Sequence, residues 1–284
     1  MPDKIERDYW HPGFLGAMEI EFREYRNVLI FYDEHSLSKE PLKMDLLIIR
    51  KDKSVSITNQ IGEIFREHNV WEYKSPDDGL TIDDYYKTVG YACLYKGLGK
   101  TVNEIPGEEL TVSLARDEHP YKFFATILES GGVIEQRYPG VYYIREIVKM
   151  PTQVIVTSEL EHEIHPSLRV LTKRLEEKDA ERFIQLAGTF TESGDRHNAD
   201  AILKVSMSAN RAVYEELKRR DPFMCEALRE LMKEEIQEER QDAVDIALIA
   251  AIKNQMKTLG LDGSKIMESM GLSAADQLRY APKL

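Results

Sequence analysis

Three short apolar runs in the first quarter of the chain constrain its fold most: NVLIFYD (27–33), LKMDLLII (42–49) and VWEYK (70–74). Each is short, apolar and rich in strand-forming residues, so all three read as strands. Side chains along a strand alternate between faces, which puts Trp71 and Tyr73 on one face and Glu72 and Lys74 on the other. Burying charges costs several kcal/mol unless they are paired or ligate a metal. Asp45 is the one acid in MDLLII. If the two strands pair, Asp45 and Glu72 converge, with Lys74 beside them.

The surrounding chain supplies helices. Residues Pro12 to Tyr25 carry Phe14, Ala17, Met18, Phe22 and Tyr25 near helical spacing, and a short helix is expected over 59–68. Pro76 to Gly79 form a turn. Thr81, with Asp84 three residues on, has the form of an N-cap. It opens an amphipathic helix ending near Gly97, with an apolar stripe of Ile82, Tyr85, Tyr86, Val89, Ala92 and Cys93. From Glu109 to Leu160 the pattern is mainly β: LTVSLA, YKFFATIL, a hairpin around Pro139-Gly140, and TQVIVTSEL. Beyond about residue 165 strong helix formers dominate, with few Pro or Gly.

Bulk composition narrows the function classes. The 284 residues are 42% hydrophobic and 31% charged, enough for a real core. The longest apolar run, Ile246 to Ile252, is far short of a membrane span, and the N-terminal stretch has no secretory h-region, so a cytoplasmic, membrane-free protein is expected. Two cysteines, Cys93 and Cys225, make neither a disulfide framework nor a thiolate zinc site and read as buried thiols. Net charge is −12, with 19 basic against 27 acidic residues over 1–160 and 19 against 23 thereafter. No basic region marks a broad electrostatic footprint for nucleic acid, so any phosphate contact is local or metal-assisted.

Two carboxylates and a backbone carbonyl on one sheet face suit a hard cation such as Mg²⁺ (or Mn²⁺), and such an ion with a lysine beside it suits phosphodiester hydrolysis. Asp45, then about twenty-five residues, then Glu72-Tyr73-Lys74 resembles the PD-(D/E)XK nuclease signature, with Met44 in place of its proline. With DYWHP, LSKEPLKMD, EYKSPDDGLTIDDYYK and CEALRELMKEE, the chain is similar to bacterial PD-(D/E)XK nuclease-family transposases related to recombination-promoting nucleases. The resemblance implies an α/β fold: a restriction-endonuclease-like mixed-sheet core (αβββαβ) over 1–165, followed by an α-helical region over 166–284. It implies Asp45 and Glu72 as metal ligands with the Tyr73 carbonyl, and Lys74 as the catalytic lysine. It adds a first-helix glutamate, Glu19 in preference to Glu21, and substrate contacts from Lys87 and Tyr91. The implied activity is metal-dependent DNA endonuclease action of mobile-element origin; the C-terminal helices are expected to serve homo-oligomerisation or target engagement. The alternative is a nuclease-fold protein without catalysis, acting as an oligomeric DNA- or protein-binding module.

Other motifs carry less. His162-Glu163-Ile164-His165 falls one residue short of H-E-x-x-H and reads as a solvated helix entrance. Gly97 to Thr101 has Leu94 where a phosphate loop needs glycine, so it reads as a helix end and turn. Tyr85 and Tyr86 read as packing residues, and KEEIQEERQD as a solvated helix face. SKIMESMGLSAADQLRY reads as two short helices around Gly271, for self-association or capping of the bundle.

Overall fold

The structure, a computed structural model, describes residues 4–33, 43–220, 228 and 233–284. The connector 34–41, Cys225 and most of CEALRELMKEE lie outside the described residues, as do the side chains of KEEIQEERQD. Two compact units divide the chain, 1–231 and 232–284. Near residue 165 strands give way to helices.

The first unit is mixed α/β. Its elements are α1 (Lys4–Glu21), β1 (Leu29–Asp33), β2 (Leu46–Arg50), β3 (His68–Lys74), α2 (Ile82–Gly97), β4 (Leu110–Arg116), α3 (Tyr121–Glu129), β5 (Val133–Tyr138), β6 (Val141–Arg145), β7 (Thr152–Val156), α4 (Pro166–Arg169), α5 (Glu177–Ala187), α6 (Ser193–Ala209) and α7 (Arg211–Arg220). The strands form one seven-stranded sheet in the order β1-β2-β3-β4-β7-β6-β5. β1, β2 and β3 pair antiparallel, whereas β3–β4 and β4–β7 are parallel.

Strand alternation divides the core. Leu46, Ile48, Trp71, Tyr73, Ala115 and Ile155 face a cluster built with Trp10, Phe14 and Met18 of α1 and the helices from 166 to 217. Leu47, Val70, Val112, Leu114 and Val154 face α2 and α3 through Tyr85, Ala92, Phe123 and Ile127. The helices between residues 166 and 217 thus complete one face of the sheet, and α1 packs along α6.

Several elements differ from the sequence reading. YKFFATIL is helical, α3, because Phe123, Phe124 and Ile127 fall on one helical face and bury together. Between 59 and 68 only a 3₁₀ turn, Gly62–Ile64, forms. The buried positions of α2 are Tyr85, Thr88 and Ala92, so the stripe is rotated: Tyr86 is 52% exposed and Cys93 is an exposed thiol. The expected hairpin is present, and Gly140 at its turn has φ +71°. A Cβ there would lie 2.7 Å from the backbone of Val156 and Leu160, a close approach only glycine permits.

The second unit holds α8 (Lys233–Leu259), α9 (Gly263–Ser269) and α10 (Ala274–Tyr280). Ile252, Ile266, Met267 and Tyr280 form its core. Gly271, at φ +74°, separates the two short helices. Among the described residues no helix is long and apolar enough to cross a membrane.

Candidate active site at the end of β3

The β2–β3 register pairs Leu46 with Trp71 and Leu47 with Val70. Extending it by one residue sets Asp45 opposite Glu72, and residues directly opposite in an antiparallel pair share a face. Asp45 itself lies in the bend just before β2, not inside the strand. Its Oδ2 accepts the Tyr73 N–H at 2.8 Å, taking the place a ladder carbonyl would hold. The N–H and C=O of one strand residue point to the same side, so the Tyr73 carbonyl also points to the Asp45 side.

Glu72 is 4% exposed. Its Oε1 accepts Lys74 Nζ at 3.0 Å and Lys87 Nζ, from α2, at 2.5 Å. Lys74 Nζ also donates to Asp84 Oδ1 at 2.6 Å. Asp84 is the third residue of the capping box: its Oδ2 accepts the Thr81 N–H at 2.9 Å while its own N–H donates to the Thr81 hydroxyl. One carboxylate therefore fixes the start of α2 and the lysine of β3 together. Lys87 Nζ lies 5.9 Å from the centre of the Tyr91 ring, so both residues border the site.

These contacts set the charge states. Burial raises the Asp45 carboxyl above its ordinary value, and the neighbouring Glu72 raises it further, against the Tyr73 hydrogen bond and the positive fields of His11 and Lys87. Burial alone would lower the Lys74 ammonium, but the hydrogen bond to Asp84 and the charge of Glu72 outweigh it and hold the group above its usual value. Asp84 is pushed up by burial, yet its bonds to Lys74 and Thr81 bring it below the usual range.

The raised Asp45 value has a sign. A carboxyl whose folded pKa exceeds its unfolded pKa favours the fold fully below the unfolded value, and that contribution is lost as pH rises through the folded value. Above the ordinary carboxylate range Asp45 is therefore a cost to folding. Asp45→Asn keeps an oxygen acceptor for the Tyr73 N–H and removes a like charge beside Glu72. It is expected to raise the melting temperature in EDTA at pH 7, and a lower one would contradict this account.

Neither first-helix glutamate reaches the site. The Asn198 amide of α6 donates to Glu19 Oε2. Glu21 Oε1 accepts Asn59 Nδ2 at 2.6 Å and faces His165 Nδ1 at 2.5 Å. The α1 residue at the site is His11, within the electrostatic range of Asp45 and edge-on to Tyr73 at 5.9 Å. HEIH does lead into a helix, α4, with His165 at its N-cap, but it is solvated only in part: Glu163 and Ile164 are exposed, whereas His165 is fully buried and His162 Nδ1 lies 2.5 Å from Asp179.

Asp84 and His11 are the residues that sequence reasoning missed. The capping box at Thr81 and Asp84 was visible, but nothing local says that the unused oxygen of the cap reaches β3. Among the described residues no group of three or more His, Cys, Asp and Glu side chains is clustered as a metal-binding set. The available donors are the Asp45 and Glu72 carboxylates and the Tyr73 carbonyl. Comparison of the chain with protein-family models, with curated proteins and with solved structures finds no match.

Proposed function

We propose that the protein is a divalent-metal-dependent nuclease that hydrolyses phosphodiester bonds, with Asp45, Glu72 and Lys74 as its site. The observation that carries the reading is the apposition of Asp45 and Glu72 across β2 and β3, close enough that the Glu72 charge opposes ionisation of Asp45. Such a pair is costly until a cation joins it, and two carboxylates with a strand carbonyl fit a hard ion such as Mg²⁺ or Mn²⁺. When bound, the ion supplies an activated water and neutralises charge on the phosphate.

The chain's own residues provide the rest. Lys74 is held as an ammonium by Asp84, so it acts as a donor that orients the water or the phosphate oxygen and not as a base. Lys87, 40% exposed, and Tyr91 border the same face and are placed to meet the substrate backbone. The order α1-β1-β2-β3-α2-β4, with β3 and β4 parallel, supports a restriction-endonuclease-like core. DNA as substrate and a mobile-element origin rest on the resemblance to the nuclease-family transposases, a cytoplasmic setting on the N-terminal stretch without a secretory h-region, and assembly through the C-terminal helices on their sequence pattern.

A second reading is a nuclease-fold protein that binds DNA or protein without cutting. It is favoured by the two ammonium groups on Glu72 Oε1, which already counter that carboxylate. Incubating supercoiled plasmid with the full chain in Mg²⁺, Mn²⁺ or EDTA separates the two. Nicked and linear products with either metal, absent in EDTA and absent with Asp45→Asn, are expected. Intact plasmid under every condition, or cleavage that survives EDTA, would remove the enzyme reading.

A further inference from the structure

A cleft of about 540 Å³ opens between the end of α1, residues 58–59, and helices α4 and α5. It shares no residue with the Asp45–Glu72 site. Glu21 lines it, with a side chain only 3% exposed. While Oε1 of Glu21 is occupied by Asn59 and faces His165, Oε2 has among the described residues only the Ser167 hydroxyl, at 3.4 Å. That separation lies outside the range of about 2.5–3.0 Å for an O–H···O hydrogen bond. A buried carboxylate oxygen without a full donor is costly, which makes it a strong acceptor for whatever enters.

Arg23, two residues further along the chain, lines the same cleft. Its guanidinium lies over the Phe190 ring at 5.1 Å, which engages the flat face of the group. Among the described residues no ion pair engages its N–H edge. The other cation of the lining, Arg182, is already bound to Glu163 at 2.6 Å. The cleft thus presents a buried acceptor, a second lining residue, Arg23, whose charge has no ion-pair partner among the described residues, and a volume in the range of small-molecule sites.

The geometry points to a binding site for a free amino acid, its ammonium on Glu21 Oε2 and its carboxylate on Arg23. The volume leaves room for a long side chain, along a wall that includes Gln185 and Thr189. No part of this depends on the nuclease reading, and Asp45→Asn leaves it intact.

The test uses the full chain and each of the twenty standard amino acids singly at millimolar concentration, by thermal shift and then titration calorimetry. At least one is expected to raise the melting temperature, by about 5 °C at a hundredfold excess over Kd. Glu21→Gln and Arg23→Met should each weaken its binding by about tenfold or more. Glu21 also holds His165, so Arg23→Met is the variant that probes the cleft without disturbing the buried network. The assignment is overturned if none of the twenty shifts the melting temperature, or if the one that does binds Arg23→Met as tightly as the wild type.

Discussion

Lys74→Met should reduce divalent-dependent plasmid nicking by at least about 100-fold, the loss seen when a single preorganised donor is taken from a charged transition state. Lys74 is the side chain that joins Glu72, opposite Asp45, to Asp84 at the start of α2. Methionine retains the length and most of the apolar stem but none of the three N–H donors. Lys87 still counters Glu72 in the variant, so the fold should persist and melting should occur near the wild-type temperature. Nicking within threefold of wild type at the same metal concentration would show that Lys74 is an ordinary partner of Glu72 and take the catalytic role from it.

The largest effect on stability is expected at Arg169, far along the chain from those residues. Arg169 is 6% exposed and binds Asp179 with two parallel bonds, Nε–Oδ1 at 2.8 Å and Nη2–Oδ2 at 2.9 Å. Its Nη1 also donates to the carbonyls of Ser158 and Leu160 at 2.8 and 2.6 Å. One guanidinium therefore ties the segment leaving β7 to α5. Arg169→Met leaves the Asp179 carboxylate buried beside His162 and orphans two carbonyls, a loss of about 3–5 kcal/mol. Urea denaturation followed by circular dichroism reads it directly, and a change below about 1 kcal/mol would contradict the role assigned to the pair.

Acid should weaken the same junction in the wild type. Burial pushes Asp179 up, but the hydrogen bonds from Arg169 and His162 prevail and hold it below the usual carboxylate range. A depressed carboxyl contributes stability that is present above its unfolded pKa and lost as pH falls through the folded value. The contribution of Asp179 thus disappears only below the ordinary carboxylate range.

Much of the sheet was legible from local pattern. Period-two alternation separates Trp71 and Tyr73 from Glu72 and Lys74, and the structure divides them in that way, the aromatics against α1 and Glu72 against α2. The Thr81–Asp84 box marks the start of α2 because capping is decided within four residues. YKFFATIL misled for the opposite reason. Adjacent aromatics raise the apparent β preference, whereas the spacing of Phe123, Phe124 and Ile127 lets one helical face dock on the sheet, and packing outweighs a preference of less than about 1 kcal/mol.

The sequence by itself determined what is set within a few residues: where β1, β2 and β3 run, which side chains share a face of β3, and where α2 begins. Only the tertiary structure decided which distant groups meet. It turned Glu19 toward α6 and Glu21 toward His165, brought His11 to Asp45, gave Asp84 a second partner in Lys74, and joined α4 and α6 to α1. Those outcomes depend on helix phase and on contacts between residues far apart in the chain. A rotation of one helical position, 100°, exchanges one partner for another without leaving any trace in local composition.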